Sequence, residues 1–270
     1  MGPRAWELEK ISLPDKVAKG TSAYLRLTDE SLPGRITGLY LVGSVALDDY
    51  QPGQSDVDFV AVADTPLTPS ELSQLGPLHT RLRRAVPRPR LDGIYVTWSE
   101  LRAEPVGLSV PYYLGRFASS GGFGANPVTW CTLHRHPVPV RGPARPAVRH
   151  DDELLRAWCC ENLQSYWAGW VRDARTRLIR RAFGLSREAT IWGVLGVTRL
   201  HATIRTGDII SKSAAGTYAF EVFPDRWSPI VREALAGRRG RRAPGYRNVF
   251  ARRRDALAFM EYVISDAVQV

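Results

Sequence analysis

Cysteine is scarce: the chain has three, Cys131 and the adjacent pair Cys159 and Cys160. That number and spacing exclude a disulfide framework and a zinc-ligand set, and the pair, set in an apolar helical pattern, reads as core packing. Long hydrophobic runs are missing as well. None approaches the ~18 residues that span a bilayer, so a soluble protein with no membrane role is expected. The first residues, Met1-Gly2-Pro3-Arg4-Ala5-Trp6-Glu7, carry no apolar signal segment, and Trp6 stands where a myristoylation signal takes Ser or Thr. The cytoplasm is the expected address. The chain shows no internal repeat.

What is there suits a globular protein. The 270 residues, 44% hydrophobic and 24% charged, are enough for two ordinary domains. The net charge of +10 favours anionic partners, which include nucleotide phosphates and nucleic acid. Much of that excess is arginine in an arginine- and proline-rich chain, so it decides little.

Residues Ile36 to Val42 are apolar and end at Gly43-Ser44, and a strand-like pattern resumes from Ser55 to Val62. Thr68-Pro69-Ser70-Glu71 reads as a helix start, with the helix reaching about Ala85 before Pro87 and Pro89. A third strand is expected from Leu91 to Thr97, a loop from Ser119 to Pro127, and a short strand from Val128 to Leu133. The proline-rich stretch Val138 to Pro146 suits neither a helix nor a central strand, and a domain boundary is placed there, giving domains 1–146 and 147–270. Beyond it the pattern is helical throughout. Helices are expected from Asp151, from Ser186 as cap to Gly207, from Ser211 as cap to before Pro224, and over Pro229–Ala236 and Asn248–Val268. The fold class is α+β: a mixed sheet flanked by helices, followed by an all-helical domain.

The chemistry concentrates around residues 43–58. Residues two apart on a strand point to one side with Cα atoms about 6.8 Å apart, so Asp56 and Asp58 project together, while Val57, Phe59 and Ala61 line the other side. Two ionised carboxylates on one face repel, and divalent cations resolve that conflict. Hard oxygen ligands suit Mg²⁺, which is commonly held by carboxylates, phosphates and water. Gly43-Ser44 lets backbone amides and a hydroxyl approach phosphate oxygens. A third acid on a neighbouring strand is required, and Asp92, among the apolar residues of Leu91-Asp92-Gly93-Ile94-Tyr95-Val96, meets that requirement. Such a set supports phosphoryl transfer with two metal ions, Asp92 taking the acceptor hydroxyl proton. A solvated edge strand is the plainer alternative for the pair, and a turn residue the plainer one for Asp92.

Leu41-Val42-Gly43-Ser44 with Ser55-Asp56-Val57-Asp58-Phe59 resembles the signature of the polymerase-beta-like nucleotidyltransferase superfamily. Thr206-Gly207-Asp208-Ile209-Ile210-Ser211-Lys212, with Phe223-Pro224, Trp227-Ser228-Pro229 and Arg232-Glu233-Ala234, looks like the C-terminal domain of the streptomycin/spectinomycin adenylyltransferases. The resemblance implies ATP as co-substrate and two Mg²⁺ ions, with a helical domain completing the ATP and acceptor cleft. It implies phosphate contacts from Gly43, Ser44 and Ser55 and magnesium at Asp56 and Asp58. Asp92 stands where that family has its glutamate base, one methylene shorter. Lys212 matches a lysine that reaches the triphosphate, and Arg238 falls where the family has a tyrosine near the nucleotide.

For the acceptor, Ala189 stands at an acidic family position, leaving Glu188 and Trp192 as replacements, with Tyr112, Tyr113 and Phe117 as further lining. The expected activity is AMP transfer from Mg-ATP to an aminoglycoside or aminocyclitol hydroxyl, by a monomer. Two other readings stay open. The arginines of 238–242 and 252–254 suit a tRNA acceptor, alongside a protein hydroxyl, and a noncatalytic nucleotide-binding regulatory module would keep the same fold.

Overall fold

The structure, a computed structural model, describes residues 13–105, 110–113, 116–117, 124–241 and 245–268. Its contacts divide the chain into two units. The first lies within Met1–Ala46 and Ser55–His150, the second within Leu47–Gln54 and Asp151–Val270. The chain therefore leaves the first unit after Ala46, contributes eight residues to the second, and returns at Ser55.

The first unit is built on a sheet of β1 (Ile36–Val42), β2 (Val57–Ala63), β3 (Leu91–Thr97), β4 (Val110–Tyr113), β5 (Arg116–Phe117) and β6 (Val138–Arg141), in the order β5-β4-β3-β2-β1-β6. Strands β2 and β3 are parallel and the other neighbours antiparallel, which makes the sheet mixed. Helices α1 (Asp15–Ser31), α2 (Gly43–Ala46), α3 (Pro69–Ala85), α4 (Trp98–Leu101) and α5 (Pro127–Arg135) accompany it. The parallel β2–β3 pair needs a crossover, and α3 provides it. Thr68 starts that helix with a reciprocal capping box: its hydroxyl accepts from the Glu71 amide, and the Glu71 carboxylate accepts from the Thr68 amide. Alternation along the central strands sorts the two faces. Val60, Val62, Ile94 and Val96 pack with Trp130 and Leu133 of α5, whereas Phe59 and Tyr95 meet Tyr24 of α1 and His79 of α3.

One expectation changes here. Residues Val128–Leu133 are helical rather than a strand. The β-branched Val128, Thr129 and Thr132 suggest a strand, but Asn126 accepts from the Thr129 amide as N-cap, Pro127 occupies the first turn, and Trp130 and Leu133, three apart, bury one helical face. The proline-rich stretch after it contributes β6, an edge strand that accommodates Pro139. The start of the expected Ser119–Pro127 loop lies outside the described residues.

The second unit is helical: α6 (Asp152–Asn162), α7 (Ala168–Thr176), α8 (Leu178–Phe183), α9 (Arg187–Thr206), α10 (Lys212–Val222), α11 (Ser228–Arg238) and α12 (Val249–Asp266), with a π-helical stretch, Leu163–Trp167, joining α6 to α7. Asp151, Ser186, Ser211 and Asn248 all cap with their side chains. Gly207 ends α9 in the left-handed conformation, φ 79°, which L side chains adopt only with strain. No helix among the described residues is long and apolar enough to cross a membrane.

Candidate active site

At one end of the sheet the backbone ladder sets two carboxylates beside each other. Asp58 is the register partner of Asp92 across the parallel β2–β3 pair, and of Val42 across the antiparallel β1–β2 pair. Residues in register on adjacent strands point to one face, so both acids share the face that buries Val60, Val62, Ile94 and Val96. Asp92 is 4% exposed. Immediately after Val42 the chain turns at Gly43, with φ 61°, and a Cβ there would lie 2.1 Å from Oδ2 of Asp58. Only glycine leaves room for that carboxylate against the turn. Ser44 follows in the short α2, half-buried, and Ser55, ahead of β2, is 8% exposed.

Asp56 is placed differently. It precedes β2, and its carboxylate is gripped by Arg90, which donates from Nε to Oδ1 at 3.2 Å and from Nη2 to Oδ2 at 3.0 Å. Arg88 approaches Oδ1 at 3.8 Å. The Val57 amide donates to the Arg90 carbonyl at 2.8 Å, which fixes Arg90 opposite Asp56 one step before the strands pair. Among the described residues no group of three or more His, Cys, Asp or Glu side chains is arranged to hold a metal ion. Of the three expected acids, Asp58 and Asp92 stand in register and Arg90 holds the carboxylate of Asp56. The donor set still suits a hard divalent cation. Asp58 and Asp92 offer oxygens on one face beside a glycine cradle.

In the helical unit the expected residues gather at the start of α10. The Ser211 hydroxyl caps it by accepting from the Ala214 amide at 3.2 Å, and Lys212 is the first helical residue. Asp49, 5% exposed, belongs to the excursion 47–54 that packs with this unit. It accepts from the Ser213 hydroxyl at 2.6 Å, from the Ser213 amide at 3.1 Å and from Gln51 at 3.3 Å. Burial pushes the Asp49 carboxyl up, but the Ser213 hydrogen bonds and the Arg238 charge outweigh it and hold the group below its ordinary 3.8.

Arg238 is 4% exposed. Its Nη2 donates to the Asp49 carbonyl at 2.5 Å and approaches Oδ2 at 3.3 Å. A buried guanidinium requires an anionic partner, and Asp49 provides one. Asp49 was not singled out from the sequence. Its setting among Asp48, Pro52 and Gly53 reads as turn chemistry, and its partners lie 164 and 189 residues further on.

Glu188 and Trp192 occupy α9, one helical turn apart. Glu188 is exposed in the first turn, where negative charge suits the helix dipole, and Ala189 beside it is buried. The half-buried Trp192 ring lies 4.2 Å from Trp167, 5.2 Å from Trp170 and 6.1 Å from Tyr166, centroid to centroid. The side chains of Tyr112, Tyr113 and Phe117 lie outside the described residues. The arginine runs are partly structural. Arg252 is 5% exposed, donates to the Leu185 carbonyl and pairs with buried Glu233, while Arg253 donates to the Ala174 carbonyl.

Comparison with known proteins finds two family matches, one in each half of the chain. Residues 26–116 match the nucleotidyltransferase domain family, and residues 163–265 match the family described as the aminoglycoside adenylyltransferase C-terminal domain. Among curated proteins, none matches. Among solved structures, spectinomycin adenyltransferase AAD(9) from Enterococcus faecialis, solved with ATP and spectinomycin, is similar in fold. Its TM-score is 0.66 at 15% identity, over 90% of this chain and 99% of that one.

Proposed function

We propose that the chain transfers AMP from ATP to a hydroxyl of an aminoglycoside or aminocyclitol such as streptomycin or spectinomycin, releasing pyrophosphate, a reading supported by its matches to the nucleotidyltransferase domain family and to the aminoglycoside adenylyltransferase C-terminal domain family. The observation that carries this reading is the in-register pair Asp58 and Asp92 beside the Gly43 turn. The structurally similar protein was solved with ATP and spectinomycin, which supports ATP as donor and an aminocyclitol as acceptor.

Gly43 and Ser44 present backbone amides and a hydroxyl to phosphate oxygens, with Ser55 beside them. Asp58 and Asp92, with Asp56 once freed from Arg90, would hold magnesium. Bound there, magnesium supplies acidification of the acceptor hydroxyl and neutralisation of charge along the triphosphate. Asp92, nearly excluded from water, receives the hydroxyl proton on a carboxylate oxygen. Lys212 contributes an ammonium to the triphosphate. It is the last of four lysines and the only one beyond Lys19, in a chain whose other cations are arginine. Glu188 and Trp192, at i and i+4 on α9, offer a carboxylate and an aromatic face on one side of the helix, which suits a cationic sugar.

The test is pyrophosphate release from Mg-ATP with streptomycin, spectinomycin, other aminoglycosides and bulk tRNA as acceptors. Release with a drug and not with tRNA is expected. Release with tRNA alone moves the acceptor to nucleic acid, and silence with every acceptor contradicts the proposal.

A further inference from the structure

Lys212 occupies the first position of α10, where the positive end of the helix dipole disfavours a cation. The structure surrounds that position with restraints. Ser211 on one side is held as N-cap by the Ala214 amide. Ser213 on the other gives both its amide and its hydroxyl to a single buried carboxylate, that of Asp49. Asp49 is fixed in turn by Arg238, which holds both its main-chain carbonyl and its side chain. Each of these groups belongs to the helical unit, Asp49 through the excursion of residues 47–54.

We propose that Asp49 is a positioning residue for Lys212, anchoring the first turn of α10 so that the ammonium is presented to the nucleotide triphosphate. The inference rests on the reading of Lys212 as a triphosphate ligand given above. Two effects combine in it. The buried anion at the first turn offsets the unfavourable placement of a cation beside the dipole's positive end. The paired hydrogen bonds to Ser213 remove backbone freedom next to Lys212, so less ordering is needed when phosphate binds. The excursion also runs in sequence from Gly43-Ser44 to Ser55-Asp56. A single stretch of chain therefore carries the expected phosphate and metal residues at its ends and the Lys212 anchor in its middle.

The experiment is calorimetric titration of Mg-ATP and of adenosine into the full chain and into Asp49→Asn, Ser213→Ala, Lys212→Ala and the two double variants containing Lys212→Ala. Asp49→Asn and Ser213→Ala are each expected to weaken ATP binding about five- to tenfold, to leave adenosine binding unchanged, and to add less than about twofold once Lys212 is alanine. Equal losses with and without Lys212, losses shared by adenosine, or ATP binding unaltered in both anchor variants would overturn the proposal. Lys212→Ala binding ATP like the wild type overturns the underlying reading of Lys212, a result separate from additive losses, which unseat Asp49 alone. Ser213→Ala keeps the Asp49–Arg238 pair, so the test stands if Asp49→Asn does not fold.

Discussion

In the sheet unit the acids are placed by the backbone. Asp58 faces Asp92 because β2 and β3 pair in that register, and Asp58 fits beside β1 because Gly43 has no side chain. In the helical unit the start of α10, where Lys212 lies, is held by side chains, through Ser211, Ser213, Asp49 and Arg238. A ladder cannot shift one residue without turning every side chain to the other face, so the first arrangement is stiff. The second depends on a few hydrogen bonds, each removable by one substitution. Asp56 falls outside both schemes, ahead of β2, where its carboxylate pairs with Arg88 and Arg90.

The largest effect is expected where a carboxylate charge is removed. Asp58→Asn, and likewise Asp56→Asn, should lower kcat/KM about 1,000-fold, the scale of losing a principal electrostatic group, with the melting temperature near that of the wild type. Gly43→Ala comes next. The added Cβ meets the Asp58 carboxylate 2.1 Å away at φ 61°, and left-handed backbone alone costs about 1–2 kcal/mol for a non-glycine residue. Kinetics should show about a 100-fold loss, because misplacement of about 1 Å is felt on that scale.

Asp49→Asn tests the side-chain arrangement. It leaves the buried Arg238 facing a neutral amide, which should cost about 3 kcal/mol by denaturant unfolding. The pH dependence has a definite sign. A depressed folded pKa gives stability that is fully present above the ordinary value of 3.8 and is lost as pH falls through the folded value. The gap between wild type and variant should therefore narrow below that pH. Arg90→Ala should have the smallest effect on stability, within about 1 kcal/mol, since the pair with Asp56 is partly exposed. Its signature is elsewhere: Mn²⁺ titration followed by electron paramagnetic resonance should show severalfold tighter binding, because the competing cation at Asp56 is gone.

The backbone-built part was largely legible in the sequence. The apolar run Ile36–Val42 ending in glycine, the run Leu91–Thr97 after prolines, and the caps Thr68, Ser186, Ser211 and Asn248 are local signals, and each element forms where its signal lies. Val128–Leu133 misleads because three β-branched residues favour a strand until Asn126 and Pro127 fix the helix start. The side-chain-built part was not legible. Asp49 binds residues far along the chain, so nothing local marks it as more than a turn residue, and Arg238 acquires its role only once that contact forms. The hold of Arg90 on Asp56 likewise depends on the register between the turn before β2 and the Pro-Arg-Pro-Arg stretch. That register is a tertiary fact.

The most direct test of the central claim is mass spectrometry of the same drug panel after incubation with Mg-ATP and either the wild type or Asp58→Asn at matched concentration and verified folding. Gain of one AMP on a drug with the wild type, absent with the variant, is the predicted result. Equal gain with both proteins would contradict the assignment of the transfer centre to the in-register carboxylates.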